Sequence, residues 1–258
     1  MLNGAIYNAR FYANHRDESV SSAEIIVPIL LSHISASSVV DIGCGTGTWL
    51  RVFERHGISD YLGLDGEYVP RDALEIPHDR FRTTDLRQLS DVGRVFDIAC
   101  SLEVAEHLPP ACSERFVKLL TSAAPVVLFS AAIPHQGGTG HVNEQWQSYW
   151  CERFRTYDFV PFDWIRPRIC GDRRVMWWYR QNILVFCERE YASRFSAVPL
   201  HPFDLDRIDP GMIEAMRNPQ GVRNALATVR RDIGVLMLTL VRKVSAAPTM
   251  ARNRSAPT

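Results

Sequence analysis

The run Val40-Asp41-Ile42-Gly43-Cys44-Gly45-Thr46-Gly47 constrains the fold of this chain more than any other segment. It continues the β-branched stretch that starts at Ser38, which reads as a buried strand, and it precedes residues 49–56, which read as a helix. Glycines at alternate positions between a strand and a helix let the backbone bend sharply. They also let a ligand approach main-chain atoms that a Cβ would shield. The same alternation predicts strands near residues 61–64, 81–84, 95–101, 126–130 and 182–187, with helices at 113–123 and 146–157. A further helix is expected to open near Ser21, where Ser21-Ser22-Ala23-Glu24 fits a capping box, with Pro28 inside it. Strands and helices alternating at this spacing predict an α/β fold, with a mainly parallel sheet covered on both faces.

The charge beside the turn says what it can hold. A dinucleotide-binding turn spaces its glycines G-x-G-x-x-G, so that pyrophosphate meets a helix N-terminus. Here the spacing is G-x-G-x-G behind Asp41, a position hostile to an anion and favourable to an ammonium or a sulfonium.

The D-x-G-C-G-x-G run resembles motif I of the class I S-adenosylmethionine-dependent methyltransferases. Over residues 20–188 the resemblance implies a Rossmann-like seven-stranded methyltransferase sandwich with S-adenosylmethionine as cofactor. Asp41, Gly43, Cys44, Gly45 and Gly47 would line the cofactor turn. Asp65, ending Leu62-Gly63-Leu64-Asp65, is similar to the acid that takes both ribose hydroxyls. Asp85, followed by Leu86, matches the residue that accepts from the adenine amino group. Ser101 and Leu102 would end the fourth strand beside the methionine moiety. The expected organisation is an N-terminal helical cap (1–37), the cofactor-binding domain (38–190), an irregular and helical C-terminal appendage (191–246) and a disordered tail (247–258).

Glu103-Val104-Ala105-Glu106-His107 follows that strand. On a helix, Glu103, Glu106 and His107 would share one face, and with a fourth donor they could hold a divalent cation such as Mg2+. The run is similar to two O-methylating branches, the ubiquinone-pathway enzymes and the small-RNA 2′-O-methyltransferases, in which it supplies metal ligands. His141 stands about where the RNA enzymes add a later histidine, with His135 as its rival. Three readings stay open: metal binding by Glu103, Glu106, His107 and His141; acid–base catalysis by His141, with His107 and Glu106 beside it; and plain packing. A hydroxyl acceptor must lose a proton, so an imidazole here favours O-methylation of a small molecule or glycan. N-methylation of a small amine and a non-catalytic cofactor-binding scaffold are the alternatives.

Trp146, Trp150, Trp164, Trp177 and Trp178, with Arg166, Arg168, Arg173, Arg174 and Arg180 nearby, would suit a sugar ring or a phosphate-bearing carrier. The opposing reading is that Trp146 and Trp150 simply pack on the sheet. Residues 140–150 and 175–182 are similar to bacterial methyltransferases encoded among polysaccharide genes, which favours a glycan acceptor.

With 29 basic and 29 acidic residues, the chain lacks the charge of a nucleic-acid binder, and none is expected as a partner. That balance conceals eight basic residues and one acid in 217–258, hence +7 there and −7 before it. Residues 223–245 read as a basic amphipathic helix, suited to covering the domain, to dimerisation or to peripheral membrane contact. Six cysteines without a C-x-x-C pair, and an N-terminus without an apolar h-region, favour a reduced, cytoplasmic protein.

Overall fold

The computed structural model describes residues 9–195 and 204–217. Its centre is a seven-stranded sheet of order β3-β2-β1-β4-β5-β7-β6, built from β1 (Ser38–Ile42), β2 (Asp60–Asp65), β3 (Phe81–Thr83), β4 (Ile98–Leu102), β5 (Val126–Ser130), β6 (Phe159–Phe162) and β7 (Leu184–Glu188). The first five strands pair in parallel, whereas β7 runs antiparallel to both β5 and β6. This is the expected Rossmann-like seven-stranded sandwich. Every residue of β1, β4 and β5 is buried, as central strands covered on two faces require.

The pleat divides the core. Val39, Ile98 and Leu128 face one side, with Ile26 and Leu30 of α1 (Ala9–Leu31) and Leu50 and Phe53 of α2 (Thr48–Arg55). Val40, Ala99 and Phe129 face the other, with Phe116 and Leu120 of α3 (Ser113–Ala123) and Trp150 and Phe154 of α4 (Gln147–Arg155). Short helices α5 (Arg166–Ile169), α6 (Trp177–Asn182) and α7 (Arg189–Ala192) precede and follow β7, and α8 (Pro210–Arg217) ends the described residues.

Several expectations need correction. The helix expected to open near Ser21 is already under way there, so Ser21 and Ser22 are interior residues. Their hydroxyls serve other contacts: Ser21 Oγ donates to the Arg174 carbonyl at 2.8 Å, and Ser22 Oγ accepts from Met176 N at 3.1 Å. Strand β6 escapes the sequence pattern because Pro161 interrupts it. As the edge strand it tolerates a residue without an N–H. Residues 103–107 are no regular helix, since Glu103 has φ 55° and Ala105–His107 is a single 3-10 turn.

The segment after residue 203 is held firmly. Leu205 is fully buried, and Arg166, itself buried, donates to its carbonyl at 2.8 Å while pairing with Asp163 at 2.9 Å. Asp206 accepts from both Ser148 N and Ser148 Oγ at 2.8 Å, which satisfies an orphan donor at the start of α4. Arg180 grips Asp209 through two bonds, of 3.0 and 2.8 Å. Of the described residues, those up to Met212 form one compact unit, and 213–217 belong to another. The expected basic helix (223–245) and the tail 247–258 lie outside the described residues. Among the described residues no helix is long and apolar enough to cross a membrane.

Candidate functional site

The glycine turn sits where the strand order reverses, between β1 and its neighbours β2 and β4, the position at which open α/β sheets bind ligands. Gly43, Gly45 and Gly47 all have positive φ (93°, 55° and 87°). At Gly43 there is no room for a side chain either, since a Cβ would lie 2.3 Å from Val104 Cγ2. That contact seats the segment after β4 directly on the turn. Gly43 N donates to the Leu64 carbonyl at 2.8 Å, joining the ends of β1 and β2.

Asp65 faces the turn from β2. Its Oδ2 accepts from Gly45 N at 2.7 Å, and its Oδ1 accepts from Gly66 N at 2.6 Å and from the Tyr68 hydroxyl. Burial nonetheless holds its carboxyl above the usual range, against those three hydrogen bonds. Asp41 is more extreme. It is 3% exposed, and burial, with the Asp65 charge added, pushes its carboxyl up to about 8. Two buried acids sharing a glycine cradle form a site that a cation would stabilise, and a ligand bearing an ammonium and a sulfonium fits it. Ser101 Oγ is committed to the Ile42 carbonyl at 2.9 Å, so Ser101 braces the turn from β4. Cys44 packs against Gly63, and burial raises its thiol well above the ordinary range, so it lines the turn as an inert group.

Asp85 is brought next to Asp65 by the bond from Thr84 N to the Asp65 carbonyl, 2.7 Å. Its carboxylate accepts four bonds, three from Arg87 and one from Gln88, which fills its usual acceptor capacity. The Arg87 hydrogen bonds lower its pKa to about 2. The contact to an adenine amino group that the resemblance implies would therefore require an exchange of partners. Leu86 is buried in the core, and Leu102 is 9% exposed at the end of β4.

A second group lies just beyond β4. Glu106, His107 and His141 each offer a ligand atom, all within 4.8 Å of one another. The loop between β5 and α4 is clamped there by Val142 N and Asn143 N, which donate to the Glu106 carbonyl at 2.9 and 3.0 Å. Glu106 is fully buried, and the donors facing its carboxylate are its own backbone N–H and that of Ala132. Burial and the nearby Glu103 charge push its carboxyl well above the usual range. Burial, with His141 adding to it, lowers His107 to about 4, so that ring is neutral. The two imidazoles meet edge to face at 4.9 Å.

Glu103 departs from the expected four-ligand set. Its carboxylate accepts from Asn182 Nδ2 and Gln136 Nε2, both at 3.1 Å, because the left-handed turn at Glu103 breaks the helical face that was to align it with Glu106 and His107. Gln136, Gln181 and Asn182, which form this network, carried no sequence signal beyond their polarity. His135 is not a member of the group. Its backbone N donates to Glu144 Oε2 at 2.9 Å, and Glu144 Oε1 meets His141 Nδ1 at 2.9 Å. Glu144 carries no sequence signal, because its partner lies three residues away on an irregular loop, where no periodicity marks the pair.

The expected aromatic and arginine acceptor site is largely spent on structure. Trp150 is buried against Phe129, Trp164 stacks on His33, Arg166 and Arg180 bind Asp163 and Asp209, and Arg174 binds Asp172. Trp146, at the start of α4, is 37% exposed, and Trp177 and Trp178 of α6 are half-buried.

A family profile described as "Methyltransferase domain" matches residues 12–163. No curated protein matches the sequence. Among solved structures, a chain of the complex between the Haloferax volcanii Trm112 methyltransferase activator and a methyltransferase superimposes with TM-score 0.53 at 16% identity, over 72% of this chain and 96% of that one. An O-methyltransferase from Nostoc punctiforme PCC 73102 gives 0.49 at 12%, over 69% and 59%, and the DhpI–SAH complex 0.49 at 20%, over 71% and 92%. The first of these likenesses, at its low identity, speaks for the fold alone. The matched stretch, however, is more than half of the chain and takes in the glycine turn, Asp65 and the whole imidazole group, and so the chain belongs to the methyltransferase domain family, as an S-adenosylmethionine-dependent class I enzyme.

Proposed function

We propose that this methyltransferase modifies a hydroxyl group of a small molecule or glycan, with His141 accepting the hydroxyl proton. The observation that carries the reading is the imidazole of His141, fixed by a carboxylate and set beside a neutral His107 at the end of β4. The cofactor supplies an electrophilic methyl group and leaves as a thioether. Asp41 and Asp65 would hold it, and the remaining demand on the chain is to place an acceptor and take its proton. A hydroxyl needs such a base, whereas an amine presents its lone pair without one. An overall charge of zero supports a small acceptor over a nucleic acid, and six free cysteines support the cytoplasmic setting.

A second reading adds a divalent cation such as Mg2+ held by Glu106, His107 and His141, with Glu103 outside the set. The buried Glu106, grouped with two imidazoles, favours it, because a cation would compensate that carboxylate as a proton otherwise must. The test is transfer of labelled methyl from S-adenosylmethionine to a panel of sugars, catechols and amines. His141→Ala is expected to lower transfer to hydroxylated acceptors by roughly 100-fold or more. Loss with chelator as well would establish the cation; insensitivity to chelator would leave the base alone. Methylation confined to amines and indifferent to His141→Ala would overturn the proposal.

A further inference from the structure

We propose that Glu144 is a positioning residue: its carboxylate holds His141 with the proton on Nδ1, so that Nε2 presents the lone pair. The inference rests on the reading of His141 as the proton acceptor and names what makes it one.

Glu144 converges three groups onto one carboxylate. Oε1 receives Gly137 N at 2.8 Å and His141 Nδ1 at 2.9 Å, while Oε2 receives His135 N at 2.9 Å. An ionised carboxylate has no proton to give, so the imidazole nitrogen facing it must be the donor. The other nitrogen is then unprotonated in the neutral ring. The same acceptor stabilises the imidazolium formed when Nε2 takes up a proton, and the orientation comes without disturbing the free nitrogen.

Backbone geometry around the pair is costly in a way that this carboxylate accounts for. His135 has φ 68°, in the left-handed region that non-glycine residues avoid, and Gly137 has φ 70°. Main-chain N–H groups of both end on Glu144, so the strained loop is wound about the side chain that fixes His141. Glycine at 138 completes the arrangement. A Cβ there would lie 2.3 Å from His141 Nε2, so a side chain at 138 would cover the atom that Glu144 leaves free. His107, edge-on to the ring at 4.9 Å, restricts its rotation from another side.

The experiment is nitrogen-15 NMR of the histidine rings of the cofactor-free protein, read by long-range proton–nitrogen correlations at a pH where the ring is neutral. His141 is expected in the Nδ1–H form in the wild type, with Nε2–H becoming the major form in Glu144→Ala. Glu144→Gln keeps the shape but has one neutral oxygen, and is expected to give a mixture of the two forms. A Nε2–H ring in the wild type, or an unchanged Nδ1–H ring in Glu144→Ala, would overturn the proposal. A carboxylate that only shaped the loop would shift backbone resonances of 135–141 and leave the ring pattern alone. Should Glu144→Ala fail to fold, the wild-type and Glu144→Gln spectra still decide. If the tautomers behave as expected while His141→Ala retains full transfer, Glu144 still positions the ring and the proton-acceptor reading is the one that fails.

Discussion

Asp41 carries the clearest residue-scale consequence. In the cofactor-free protein its carboxyl is held up to about 8, so at neutral pH it keeps a proton. A bound cation favours the carboxylate, so binding should expel that proton. Affinity for S-adenosylmethionine is therefore expected to rise as pH approaches 8 and to level off above it, with a limiting slope of about tenfold per pH unit. Calorimetry in buffers of different ionisation enthalpy should record up to about one proton released near pH 7 in the wild type and none in Asp41→Asn. A pH-independent affinity would contradict it. Asp65 acts differently, through hydrogen bonds more than through a proton. Asp65→Ala removes the acceptor that faces Gly45 N and is expected to weaken cofactor binding by roughly 100-fold, the loss of two charge-assisted bonds. Undiminished binding in that variant would remove Asp65 from the cofactor site.

At the scale of elements, the turn after β1 and the segment after β4 are one mechanical unit, because Val104 occupies the space a Gly43 side chain would need. Gly43→Ala faces both a left-handed backbone and a clash, and is expected to destabilise the protein by about 2–5 kcal/mol in denaturant unfolding. Adding Val104→Ala opens the space but leaves the backbone strain, so the double variant should recover part of the loss. A purely additive pair would show that the contact is not the cause. This coupling also shows why residues 103–107 resisted a sequence reading. The helical spacing of Glu103, Glu106 and His107 was visible, yet the turn at Glu103 is set by β5, with Glu103 N bonded to the Ser130 carbonyl at 3.0 Å and to Ser130 Oγ at 3.1 Å. Local spacing cannot report such a bond, nor that Glu103 is held by Asn182 and Gln136 while staying beside Glu106.

Across the whole molecule, the two sides of the sheet are tied together by a segment far along the chain. Arg180, within α6, is 12% exposed at its side chain and Asp209 is 9% exposed. Removing one partner of a buried pair leaves the other charge uncompensated, so Asp209→Ala is expected to cost about 3 kcal/mol, or a fall in Tm of roughly 6–12 °C. Asp209→Asn, which can still accept from Arg180, should cost less. A variant as stable as the wild type would show that residues 204–212 only decorate the core. Gln147 and Gln181 link the same segment to the site, since Gln147 Nε2 donates to the Gln181 and Arg207 carbonyls at 3.1 and 3.3 Å.

The sequence by itself determined the strand–helix alternation and the acidic glycine turn, because each is written in short-range spacing: apolar runs in strands and helices, and glycines wherever φ turns positive; Asp65 entered through the family resemblance, and its pairing with Asp41 through the fold. Only the tertiary structure decided which of Glu103, Glu106, His107 and His141 stand together, that Glu144 governs His141, that Asp85 is taken by Arg87, and that most of the arginines near the tryptophans are structural. Those outcomes depend on bonds between residues tens of positions apart, such as Glu103 with Asn182 and Arg180 with Asp209, or on loop residues in left-handed conformations. Neither carries a period, and a proton or a hydrogen-bond acceptor is allotted only when the folded chain has brought its competitors within reach.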